Sequence, residues 1–129
     1  MLKFYLLINS FSYVLFSVWC LIKPTSTANY LGLGFLKNSG KIEYLSVYTG
    51  MEMGFAVFLA LCGLYPSLSL AGLIFCVSIY LGLMFTRTFT AMYYGNVSTA
   101  TYLVGSSEYI FGIWGVIILV LELRKLNVI

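Results

Sequence analysis

Residues 44 to 87 read YLSVYTGMEMGFAVFLALCGLYPSLSLAGLIFCVSIYLGLMFTR, and the only charges in that run are Glu52 and Arg87. Pro66 divides it into two apolar segments, about Tyr44 to Leu64 and about Ser67 to Thr86, the second closed by Arg87. Each holds the ~20 residues an α-helix needs to cross ~30 Å of hydrocarbon. Helices are the expected form, because hydrocarbon offers no water to satisfy a backbone N–H or C=O. The Tyr65-Pro66 step is short and proline suits the first turn of a helix, so the segments are expected as antiparallel neighbours.

Two further stretches match them. Phe4 to Ile22 carries no charge, and Tyr102 to Leu121 carries only Glu108. The fold class expected is therefore all-α, a four-transmembrane-helix bundle forming a single integral membrane domain over residues 1–129, with helices at about 4–22, 44–64, 67–86 and 102–121. Composition agrees: the chain is 61% hydrophobic and 9% charged, against about 25% charged in soluble domains. The first stretch follows Lys3, as a signal peptide would, but no Ala-x-Ala site follows it, so a retained helix is expected. Lys23 to Glu43 is expected as a long polar loop around an apolar Tyr30 to Leu36 core. Thr88 to Thr101 forms the third link, and Glu122 to Ile129 the tail.

Several function classes are excluded. A net charge of +3, scattered at the edges of the apolar stretches, does not suit nucleic acid. The chain has no histidine, which removes His-ligated haem and metal sites and Ser-His or Cys-His nucleophile pairs. Cys20, Cys62 and Cys76 form no Cys-x-x-Cys and read as small packing residues. No cofactor or metal is called for. The partners expected are the lipid bilayer, a lipophilic small-molecule ligand and, should a transport path be needed, further copies in a homo-oligomer. Four spans put both termini on one side, and Lys and Arg are too evenly divided to set the orientation.

Glu52, Arg87 and Glu108 are the candidate site. A charge at membrane depth is costly by a few kcal/mol even on lenient scales, so two acids and one base are expected to meet. Glu52 follows the expected start of its helix by eight residues, ~12 Å, and Glu108 by six, ~9 Å, both from the face bearing the long loop. Arg87 ends its helix at that face. Thr101, Gly105, Glu108, Gly112 and Gly115 share one stripe, which aims Glu108 into the bundle. Gly50 and Gly54 around Glu52 are read as packing residues rather than a dimer contact. Two acids against one guanidinium leave one negative charge for a proton to neutralise. Such a set can donate a proton, accept one and hold an oxygen-bearing group. Tyr48, Thr49, Tyr94 and Tyr109 are the candidate ligand-binding residues around it. The competing reading is a non-catalytic structural or accessory subunit, with the triad as a helix-locking ion pair.

Glu43-Tyr44-Leu45-Ser46-Val47-Tyr48-Thr49-Gly50-Met51-Glu52-Met53-Gly54 resembles the second-helix signature of an uncharacterised bacterial family of small four-helix integral membrane proteins, a domain of unknown function. That pattern is followed by an arginine ending helix 3, a Gly-containing loop and a glutamate early in helix 4, matched here by Arg87, Tyr94-Gly95-Asn96 and Glu108. The resemblance covers about residues 43 to 122. It implies the four-helix fold, a multi-pass place in the bacterial inner (cytoplasmic) membrane, and Glu52, Arg87 and Glu108 as site residues; it implies no activity. The site chemistry is also similar to that of small membrane-bound terpene cyclases, which protonate apolar substrates with buried acids among aromatics. That likeness is an analogy without a shared motif.

Overall fold

The computed structural model describes residues 1–127; residues 128–129, the end of the expected tail, lie outside the described residues. Five helices follow one another: α1 (Leu2–Ile22), α2 (Pro24–Tyr30), α3 (Asn38–Leu64), α4 (Ser69–Tyr94) and α5 (Thr99–Lys125). A 3-10 turn, Pro66–Leu68, leads into α4. α1, α3, α4 with its leading turn, and α5 are each long and apolar enough to cross a membrane. Large apolar side chains such as Phe4, Phe11, Val57, Ile113 and Ile117 are exposed on their outer faces, as expected where lipid rather than water is the neighbour. The protein is a multi-pass integral membrane protein built as an all-α four-helix bundle.

The helix boundaries differ from the sequence expectation in three places, each for a local reason. Arg87 does not end its helix: α4 runs on to Tyr94 and stops at Gly95, whose φ of +62° suits glycine. A charge does not interrupt the backbone hydrogen-bond ladder, and Thr88 to Tyr94 contains no proline or glycine. α5 starts at Thr99 rather than Tyr102, because the Ser98 hydroxyl caps it by accepting from the Thr101 backbone N–H at 3.2 Å. The link between them shrinks to Gly95–Ser98. The stretch from Lys23 to Glu43 is not simply a loop. It opens with α2, begun by Pro24 at its first turn, and its end from Asn38 belongs to α3. α2 is fastened by the Tyr44 hydroxyl, which donates to Thr27 Oγ1 at 2.9 Å.

α1 holds the bundle together. Ser10 and Ser17, seven residues apart, donate to the Ala56 and Thr49 carbonyls of α3, also seven apart, at 2.7 and 2.9 Å. Toward α4 and α5, Asn9 Oδ1 accepts from the Tyr80 hydroxyl of α4 at 2.6 Å, and the Tyr5 hydroxyl donates to the Phe111 carbonyl of α5 at 3.0 Å. Gly115 makes the last bond possible, since a Cβ there would strike the Tyr5 ring and hydroxyl. The core between them contains Leu6, Leu59, Leu73, Val77 and Ile118. The three cysteines are free and buried, and Gly72 lets α4 approach Cys62, whose Cβ would lie 2.5 Å from an added methyl. Hydrogen bonds between membrane helices contribute about 0.6 kcal/mol each on average, so the close packing around these small residues matters more than any single bond.

Gly50 and Gly54 do not serve that packing. Both are exposed, and an added Cβ at either would meet nothing within 4 Å. The serines of α1 engage the Thr49 and Ala56 face of α3, which turns the two glycines outward.

Candidate functional site

Arg87 and Glu108 meet as the sequence expects, further from the ends of their helices. Arg87 lies seven residues before the end of α4, ~10 Å from it, and Glu108 nine residues after the start of α5, ~13 Å from it. The two helices are antiparallel, so both positions fall in one leaflet. Arg87 Nε donates to Glu108 Oε2 at 2.7 Å and Nη2 donates to Oε1 at 2.6 Å. This is the two-pronged geometry that only arginine offers a carboxylate. Glu108 is 7% exposed, inside the bundle as its small-residue stripe implies. Gly105 makes room for the arginine stem: a Cβ there would sit 2.9 Å from Arg87 Cδ. Gly112 receives Met84 and Tyr80 one turn further on.

Glu52 is near but unpaired. Its carboxylate lies within electrostatic range of Glu108, and Tyr13 lies within range of both acids. Oε2 of Glu52 has no exposed surface and no hydrogen-bond partner among the described residues, and the same holds for Thr49 Oγ1 one turn away. Buried oxygens without partners are uncommon and ask for an explanation. They sit at a deviation of α3, which forms a π-helical turn over Ser46–Met51 just before Glu52. Such turns occur often at functional sites.

The candidate ligand-binding residues divide. Tyr48 stacks on Tyr44 with ring centroids 4.6 Å apart and lies within electrostatic range of Arg87. Tyr109 hydrogen-bonds Thr88 across the α4–α5 contact. Tyr94, largely exposed, lines a cavity of about 470 Å³ at the end of α4, together with Arg87, Thr86, Thr90, Ser98 and Thr101. Tyr109 lines a second cavity of about 550 Å³, on the other side of Arg87, with Met92, Tyr102, Gly105 and Ile110. Arg87 is therefore a wall of both. Glu52 and Thr49 line neither cavity.

Sequence reasoning missed Tyr13 and the rest of the polar face of α1. The signal was present: Tyr5, Asn9, Tyr13 and Ser17 recur every fourth residue in an otherwise apolar helix, a spacing that puts them on one face. Thr88 was likewise treated as linker, because the helix was expected to stop at Arg87.

Fold and site together define a multi-pass membrane protein with a buried Arg–Glu pair and, within electrostatic range of it, a second acid without a partner for Oε2 among the described residues. No family model, curated protein or solved structure matches the chain.

Proposed function

We propose that the protein binds a lipophilic small molecule or lipid at the Arg87 wall, in the bacterial inner membrane, with Glu52 and Glu108 available for general acid/base chemistry of an isomerase- or cyclase-like kind. The observation that carries this reading is that Arg87, although held by Glu108, borders two open cavities whose volumes, about 470 and 550 Å³, fall in the ~300–1,000 Å³ range of small-molecule sites. Of its five N–H hydrogens, Glu108 takes two. The remaining donors have no partner among the described residues, and the side chain keeps 30% exposure. In this reading Arg87 anchors a ligand oxygen, Glu108 fixes and balances the arginine, and Glu52, which lines neither cavity, is the second acid of the cluster. Tyr94 and Tyr109 border the ligand, and Tyr48 and Thr49 support Glu52.

A structural reading has its own support in the two-pronged pair and the Gly105 cradle. In it, the pair locks α4 to α5 and nothing binds. Mass spectrometry of small molecules retained through purification separates the two. The binding reading expects a species enriched over bulk membrane lipid and lost in Ala91→Phe, which fills a position shared by both cavities. Equal lipid content in the two proteins would leave the lock as the sole role of the pair.

A further inference from the structure

The two cavities beside Arg87 share four residues, Arg87, Ala91, Val97 and Thr101, and are otherwise different. One, at the Gly95–Ser98 link, is the more polar of the two: the hydroxyl and amide side chains of Thr86, Thr90, Tyr94, Asn96 and Ser98 line it together with Leu31 and Leu83. The other is mainly apolar, between Met92 on α4 and Ile110 on α5, with Tyr102 and Tyr109 alongside. A ligand lying across Arg87 thus has a polar end toward the membrane face and an apolar end along the bundle.

The charge count selects the head group. Glu108 already neutralises Arg87. With Glu52 ionised the three side chains carry one net negative charge; with Glu52 protonated they carry none. In neither state does the site offer the surplus positive charge that a phosphate or carboxylate head would need. A cationic head fares no better, because what Arg87 presents to the cavities is N–H donors on a positive group. What those donors can take is an uncharged acceptor, and the hydroxyls around them can both donate and accept.

We propose that the site takes an uncharged amphiphile, with a hydroxyl, ester or ketone oxygen on Arg87 in the polar cavity and a hydrocarbon chain in the apolar cavity. The inference rests on the binding reading above and adds the chemical class of the ligand.

The test uses the full chain in nanodiscs of zwitterionic lipid, with empty nanodiscs as the background. Four radiolabelled probes share one sixteen-carbon chain: hexadecanol, methyl palmitate, palmitate and hexadecylamine. The expected result is saturable binding of the alcohol and the ester, at least tenfold tighter than of the carboxylate or the amine. That binding should fall at least tenfold in Ala91→Phe, a variant outside the ion pair whose folding is checked by its melting curve. Tighter binding of palmitate or hexadecylamine would overturn the head-group assignment and leave lipid binding standing. Saturable binding of neutral probes that Ala91→Phe leaves unchanged would overturn the location. Saturable binding of none of the four would overturn this proposal and the binding reading together.

Discussion

Breaking the Arg87–Glu108 pair from its two sides should give unequal losses, and the inequality follows from geometry. The Glu108 side chain is 10% exposed and that of Arg87 30%. Arg87→Met strands a carboxylate inside the bundle with both oxygens unpaired, and loss of one partner of a buried pair costs about 3–5 kcal/mol. Glu108→Gln strands less. The amide keeps one oxygen for Arg87, and the guanidinium can turn its freed edge toward the cavities it already borders, so about 1–3 kcal/mol is expected, near the scale of one charge-assisted hydrogen bond. The double change removes both charges and leaves methionine beside Gly105, and should lie within about 1 kcal/mol of the native protein. The coupling between the sites is then at least about 3 kcal/mol, at the upper end for a contacting pair. Denaturant unfolding in mixed micelles, followed by helical circular dichroism, measures all three variants. A loss in Glu108→Gln equal to or above that in Arg87→Met would refute the burial argument. Losses below about 0.5 kcal/mol in both would mean that the pair is solvated as a surface pair is.

Reporter fusions at the N- and C-termini should report the same compartment, as an even number of crossings requires; opposite compartments would remove the four-span topology and the shared leaflet. Gly115→Ala places a methyl against Tyr5 and should destabilise by about 1–3 kcal/mol, as overpacking does, while Gly54→Ala meets open space and should be neutral or slightly stabilising; the same unfolding assay compares them. Ser17→Ala should lose about 0.6 kcal/mol, up to ~1.7, through its bond to the Thr49 carbonyl, and a larger loss would show that this bond holds the π-helical turn in place. Glu52→Leu should raise stability, since it removes a buried carboxylate oxygen that has no partner among the described residues; a loss on melting would reveal a structural partner for Glu52.

The fold was legible because its governing constraint is coarse. Four runs of about twenty apolar residues decide the helices wherever their ends fall, and Pro66 decides which two are paired. The ends were less legible. Arg87 looked like a terminus because charge usually marks the membrane edge, yet a guanidinium that finds a carboxylate inside the bundle does not stop a helix, and Gly95 does. The start of α3 is hidden for the same reason: it begins at Asn38, fourteen residues or ~21 Å before Glu52, because Lys41 and Glu43 do not interrupt a helix either. The Arg87–Glu108 pairing could be inferred from a glycine stripe and matched depth. The isolation of Glu52 could not, because it depends on the π-helical turn and on which side of α3 the serines of α1 engage, and neither leaves a periodic trace in α3.

Glu52 is also the residue that a purely structural account explains least. A lock between α4 and α5 needs one acid and one base, and Glu108 and Arg87 supply them with both hydrogen bonds made. A second carboxylate on α3, within electrostatic range of the first and, among the described residues, without a partner for Oε2, adds like-charge repulsion and desolvation and nothing to such a lock. Fold stability alone gives no reason for it. Stability given up at a defined position is a common feature of sites that must bind or react. Here that position lies beside a hydroxyl, Thr49 Oγ1, that is equally unpaired, and within range of Tyr13. Under the binding reading, an acid outside the ion pair is what proton transfer to a bound, uncharged lipid would call on, with Glu108 ordering the arginine and Glu52 standing apart from it.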